Sequence, residues 1–287
     1  MLACARNSRR PLGVTLAAGL ALAAGLACAQ GADDAPQRVV SMNLCTDQFA
    51  LMLAEPGQLV SVSYVSADPV TSPLAEEAAR YPLNYGSAEQ IYLMRPDLVL
   101  AHPWSDPTAI AMLRRLGIEV VQVEGVRTLA DIPDRLALFG ALLGREEAAQ
   151  TLIDRFEADL AALTSPPVGP RAVFYGANGY TAGEGSLSHE VLSRAGFRNI
   201  AVEIAPSATG EIALELLVVT APDLILRSQP YPGASQAEAI LDHPALQALI
   251  AAGSGIETTP DWACGTPRVV EALRDLVETR AAMEGRP

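Results

Sequence analysis

The stretch that most limits what this chain can become runs from Gly144 to Pro166, GREEAAQTLIDRFEADLAALTSP. Ala149, Leu152, Ile153, Phe156, Leu160 and Leu163 recur at steps of three and four, which is one face of an α-helix. Arg145, Glu146, Glu147, Asp154, Arg155, Glu157 and Asp159 fill the other face. Gly144 stands before the pattern and Pro166-Pro167 after it, so breakers bracket the helix. A helix of that length spans about 30 Å, enough to cross a small domain. The same unit flanks it on both sides: SAEQIYLMRPDLVLAHP before and ALELLVVTAPDLILRSQ after. Glu89 lies seven residues before Pro96, and Glu215 seven before Pro222. Each copy reads as a short helix, a Pro-Asp turn and a buried strand. Two similar lobes joined by one stiff helix account for this order. A frequent way of starting buried strands is the plainer alternative.

The first residues are expected to lie outside the fold. Arg6, Arg9 and Arg10 precede an apolar run from Leu12 to Leu26, and Ala27-Cys28-Ala29 fits a small-x-small cleavage site. This pattern predicts a cleavable secretory signal peptide over residues 1–29 and export to the periplasm. Ser8-Arg9-Arg10 matches a twin-arginine signal only in part, because Pro11-Leu12 follow. Cys28 falls short of a lipidation site, because Gly25 stands where Leu is preferred. No other apolar run approaches the ~20 residues of a membrane-spanning helix, so the rest is expected to be soluble.

Charge and composition narrow the function. The chain carries a formal −13, and without the three leader arginines the remainder is −16. Such a surface disfavours nucleic acid and anionic membranes as partners. All 20 basic residues are arginine. Phosphate-loop lysines, Schiff-base chemistry and lysine general bases are therefore excluded.

Strand-like and helix-like segments alternate from Arg38 onward, as in parallel sheets covered by helices. RVVSM (38–42), LVSVSY (59–64), the run from Asp97 to Ala101 and IEVVQV (118–123) read as strands of a first lobe over 30–130. Helices over 131–166 connect it to a second lobe over 167–287. There RAVFYG (171–176), the run after Pro222 and a weak segment near Ile256 are the strands. A last helix from Pro267 to Met283 closes the chain.

RVVSMNLCTDQ near the start, two Pro-Asp-Leu strands, the long central helix and the closing DWACGTPRVVEAL together resemble one family. It is that of the substrate-binding proteins of ABC importers for iron-siderophores, haem and cobalamin, over about residues 38–284. The resemblance implies an α/β fold of two Rossmann-like lobes with mainly parallel sheets and a helical hinge. It also implies no enzymatic activity, no resident cofactor or metal, a metal-chelate ligand, a monomer, and ABC importer permease subunits as partners.

Ligands of α/β sheets sit beyond the carboxyl ends of the strands. Tyr64, Tyr85, His102 and Trp104 fall there in the first lobe, and Tyr175, Tyr180, Arg227, Tyr231, Asp261 and Trp262 in the second. Aromatic groups in such places suit a large, flat, partly apolar ligand. The resemblance to cobalamin-binding relatives matches aromatic positions to Tyr64, Tyr85, His102 and Tyr180, and an acid to Asp261; here His102 replaces an aromatic. A siderophore would call on Arg227 and Arg268, and haem on Tyr64, Tyr85 or His102 as axial ligands. Ordinary packing at a lobe edge is the plainer account of each aromatic.

Two other classes compete. A free divalent metal ion would need three or four ligands, and His102, His189 and His243 are widely separated. An exported α/β enzyme would use GANGYTAGEGSLSH (176–189), which lacks the dinucleotide fingerprint and any nucleophile elbow.

Cys45 and Cys264 are the cysteines beyond the leader. An even count in an oxidising compartment favours a disulfide, and two cleft thiols are the alternative. Glu89 and Glu215 open matched helices, where a first-turn acid favours the helix dipole. By the resemblance, one such Glu on each lobe meets arginines of the permease.

Overall fold

The computed structural model describes residues 35–163, 169–204, 209–231, 233, 235–252 and 255–285. The expected leader, Cys28 and Pro166-Pro167 lie outside the described residues. From Ala35 onward the chain forms one compact unit. Among the described residues no helix is long and apolar enough to cross a membrane.

The first lobe runs β1 (Val39–Ser41), α1 (Leu44–Leu53), β2 (Leu59–Ser63), α2 (Ala75–Ala78), β3 (Leu83–Asn84), α3 (Ala88–Leu93), β4 (Leu98–Ala101), α4 (Pro107–Arg115) and β5 (Glu119–Gln122). Its five strands are parallel, in the order β3-β2-β1-β4-β5. β1 and β4 are buried along their whole length. That is why they read as continuous apolar runs rather than alternating ones. The order reverses direction beside β1, which leaves a crevice beyond the strand ends.

α5 (Asp131–Leu143) and α6 (Glu146–Ala162) lead to the second lobe. The helix expected from Gly144 is shorter than its pattern, with 17 residues. Gly144 belongs to its predecessor: it closes α5 in the left-handed region, at φ 66. A Cβ there would meet Ala35 Cβ at 2.7 Å, so a larger residue is excluded twice over. Ala149, Ile153 and Phe156 of α6 are buried, and Leu152, Leu160 and Leu163 pack against the same core. That core is continuous from Val39 and Phe49 in the first lobe, through Phe139 and Phe156, to Leu226 and Leu276 in the second.

The second lobe comprises β6 (Arg171–Tyr175), β7 (Tyr180–Ala182), α7 (Leu187–Arg194), β8 (Arg198–Asn199), α8 (Ala201–Ile204), β9 (Thr209–Glu211), α9 (Leu214–Thr220), β10 (Leu224–Arg227), α10 (Pro244–Ala252), β11 (Gly255–Glu257) and α11 (Val269–Glu284). β11-β10-β6-β8 form a second parallel sheet, while β7 and β9 pair antiparallel beside it. The two Pro-Asp-Leu strands, β4 and β10, thus stand in separate sheets.

The duplicated unit folds the same way twice. Glu89 and Glu215 sit in the first turns of α3 and α9. Beyond each helix a non-glycine residue turns left-handed before its proline, Arg95 at φ 52 and Ala221 at φ 45. The following aspartates reach back to the first strand of their sheet. Asp97 accepts from the Gln37 amide at 2.7 Å and the Arg38 amide at 3.0 Å, and Asp223 from the Arg171 amide at 2.7 Å. The two arginines return the contact. Arg38 donates to the carbonyls of Met94 (2.7 Å) and Arg95 (3.0 Å), and Arg171 to those of Thr220 (2.6 Å) and Ala221. These charge-assisted bonds satisfy carbonyls left open at a helix end. They hold a turn whose left-handed residue costs about 1–2 kcal/mol.

Candidate functional site

A pocket of about 430 Å³ opens at the carboxyl ends of β1, β2, β3 and β4. Its walls come from the segments that follow those four strands: Met42 to Leu44, Ser63 to Val65, Asn84 to Ser87, and Ser105 with Asp106. Tyr64 and Tyr85 form one side. Their rings stack at 4.9 Å with 23° between planes, and they remain 51% and 71% exposed. Two solvent-facing stacked phenols leave an apolar surface open beside the pocket.

Beneath them lies a buried polar layer. Asp47, on α1, is fully buried, and its Oδ2 accepts from the Ser63 amide at 3.1 Å, the Ser63 hydroxyl and the Ser66 hydroxyl at 2.6 Å. Burial pushes its carboxyl up to about 6, although the hydrogen bonds from Ser63 and Ser66 and the nearby Ser41 hydroxyl pull it down. A folded value above the ordinary one means that the native state binds the extra proton. Stability from this group is then complete only well below pH 3.8 and is lost as pH rises through 6. With about 1.4 kcal/mol per pKa unit, the loss is about 3 kcal/mol. Urea unfolding of the wild type and of Asp47→Asn at pH 4 to 7 checks this. The wild type should lose about 2 kcal/mol relative to the variant across that window, which omits the part already lost below pH 4, and a constant difference would refute it.

Two of the contacts between the lobes, among the described residues, lie near this pocket. Cys45 and Cys264 are joined by a disulfide, with Cα atoms 4.9 Å apart. Cys264 and Gly265 are both left-handed, at φ 66 and 58. A Cβ on Gly265 would meet Val126 Cγ1 at 2.5 Å, so glycine is what lets the two segments close up. In the second contact Tyr231, after β10, donates its phenol to Asp68 Oδ2 at 2.6 Å. This bond holds the Asp68 carboxyl below its usual range and pushes the Tyr231 phenol up.

His102 and Trp104 follow β4 but are not among the residues that line the tyrosine pocket. His102 lines a small cavity with the disulfide, Glu124 and Arg135. Its Nδ1 accepts from the Trp104 amide at 3.2 Å, and the two rings meet edge-on at 5.2 Å. Burial lowers its pKa, with Glu124 opposing and Arg135 assisting. Trp104 itself is 91% exposed. His102, His189 and His243 lie on different elements, and among the described residues no three His, Cys, Asp or Glu side chains gather as a metal site.

In the second lobe Tyr180 stands at the start of β7 with its ring edge-on to Phe174 at 6.0 Å. Arg227 ends β10 and pairs with Glu257 of the adjoining strand. Asp261 and Trp262 lie in the 3-10 turn after β11, and Asp261 accepts from Arg268 Nε at 2.7 Å. These four occupy strand-end positions, with both charged members already paired. Tyr175 corrects the expectation from sequence: it is fully buried among Val173, Ile212 and Leu217, not in the cleft. Side chains alternate across a strand, and Tyr175 takes the core side. Glu89 and Glu215 are exposed. The side chains that sequence reasoning passed over are Asp47 and Asp68. A helix-opening acid set among apolar neighbours, TDQFALML, was the available signal for the first; Asp68 gave none.

The family model described as "Periplasmic binding protein" matches residues 39–255, from β1 to the start of β11. The chain belongs to this periplasmic binding protein family. A relative from Halobacterium salinarum named "Cobalamin-binding protein" is 26% identical over 260 residues, covering 84% of this chain and 68% of the relative. A periplasmic haem-binding protein from Pseudomonas aeruginosa superimposes with a TM-score of 0.68 at 23% identity, over 85% of this chain and 92% of its own. The Fe3+-hydroxamate transport protein of Saccharomonospora viridis gives 0.64 at 23% identity, over 86% and 94%. At these identities the two solved structures establish the fold alone: class III two-lobed α/β.

Proposed function

We propose that this protein is the substrate-binding component of an ABC importer, taking a flat metal chelate at the Tyr64–Tyr85 face and delivering it to the permease. The observation that carries this reading is the exposed stacked pair beside a pocket at the sheet's switch point. Cobalamin, haem and Fe3+-hydroxamate are the chelates named for three of the proteins similar to this chain. The cobalamin-binding relative, similar along most of this chain, puts a corrinoid first. Retention without turnover is expected, since the pocket walls present amides, hydroxyls and phenols with Asp106 as their one carboxylate. In this reading a leader over residues 1–29 exports the chain to the periplasm, and the lobes end near 130 and begin again near 167. In this reading the protein works as a monomer, and Glu89 and Glu215 meet basic residues of the permease.

Titration of the purified protein with cyanocobalamin, haemin and a ferric hydroxamate, followed by absorbance, tests the proposal. One of the three should bind and be recovered unaltered, and binding of none would overturn it. Tyr64→Ala should weaken that binding by roughly tenfold to a hundredfold, as loss of one stacking face implies.

A further inference from the structure

The segments that carry Tyr64 and Tyr85 are held from below by polar groups. The three donors on Asp47 Oδ2 come from Ser63 and Ser66, which bracket Tyr64. Asn84, also buried, donates to the Ser41 carbonyl at 2.8 Å and Ser61 Oγ at 3.0 Å, and accepts from the Gly86 amide at 3.2 Å, which brackets Tyr85. Ser41 Oγ meets Thr46 Oγ1 at 2.7 Å, tying the two halves together. Asp47 Oδ1 and both side-chain polar atoms of Gln48 are buried without a partner. A carboxylate so placed weakens the fold near neutrality, so stability does not account for it. What it supplies is convergence: one oxygen fixes both sides of the turn that holds Tyr64.

We propose that Asp47 is a positioning residue for ligand binding, its buried carboxylate fixing the Ser63–Ser66 turn so that Tyr64 stands preformed against Tyr85. Ionised acceptors make the shorter and stronger hydrogen bonds, so protonation relaxes the turn. A preformed stack spares the ligand the cost of ordering two side chains. The groups facing Asp47 are the Ser41, Ser63 and Ser66 hydroxyls and the Ser63 amide. The charged side chains on elements packed around α1 include Arg135 of α5, lining the cavity beside Thr46 and Phe49, Arg145, which donates to the Leu53 carbonyl and pairs with Glu55, and Asp68 beyond the turn, held by Tyr231. What the tyrosine face binds rests on the proposed function; the positioning itself does not.

The near-UV dichroism of the stacked tyrosines, identified as the signal lost in Tyr64→Ala, reads the positioning without any ligand. Asp47→Asn keeps the side chain's shape and should lose most of that signal at pH 7. Cyanocobalamin affinity should fall about tenfold in the variant, and the wild type should fall toward the variant's value between pH 7 and 5 while the variant stays flat. Ser66→Ala, which removes one donor, should lie between the two. Unchanged dichroism together with an unchanged pH profile in Asp47→Asn would overturn the proposal. Should the wild type bind no corrinoid, the dichroism alone decides, and only the ligand reading falls.

Discussion

Replacing Cys45 and Cys264 together by serine is expected to lower the unfolding free energy by roughly 5 kcal/mol. The bond joins residues 219 apart, so it closes most of the folded chain into one loop. Chain entropy grows only logarithmically with loop length, but at this length the constraint on the unfolded state is near its ceiling. Domains are stable by about 5–15 kcal/mol in all, so the loss would take the fold to the edge of unfolding at room temperature. The comparison is urea denaturation of the unreduced wild type against the double variant, with the reduced wild type as a third curve. A difference below about 1 kcal/mol would mean that native contacts such as Tyr231 against Asp68 hold the lobes without help from the bond.

Reversing both charges proposed for docking, Glu89→Arg with Glu215→Arg, should abolish uptake and leave the ligand's affinity as it was. The two side chains occupy equivalent, exposed places on the two lobes, away from the pocket walls. Like charges brought together in an interface cost several kcal/mol, so transport should fall by roughly two orders of magnitude or more. Each single reversal should give an intermediate loss. Uptake of labelled cobalamin by cells carrying only the variant gives one readout, and titration of the purified variant the other. Normal uptake would remove the docking role, and lost binding would assign these residues to the fold or cleft.

Long or continuous patterns were legible before any coordinates. The apolar stripe of α6 reports a core on one side, and Pro-Asp-Leu followed by β-branched and leucine residues reports a strand covered on both faces. β3 and β8 have two residues each, too few to show any period. β7 and β9 draw their pairing from a partner nearly thirty residues away, which local sequence does not record. Reading every strand end as cleft failed at Tyr175, because chain position does not say which face of the sheet a residue takes. It served better at Tyr64 and Tyr85, which leave their strands and enter loops. Asp47 looked like an ordinary helix acid, and its burial depends on β2 and the turn beyond it folding over α1.

The Arg38 and Asp97 clasp makes the first lobe a short mechanical path. A load on α3 reaches the carbonyls at its end, passes through the Arg38 guanidinium to the start of β1, and is shared with β4 through Asp97. β1 is three residues long and empties directly into Met42 and Asn43 at the pocket wall. A tug on the outer helix is thus felt within one strand's length of whatever lies against the tyrosines. Arg171 and Asp223 repeat the linkage in the second lobe, so a partner gripping both outer helices would hold the first strand of each sheet.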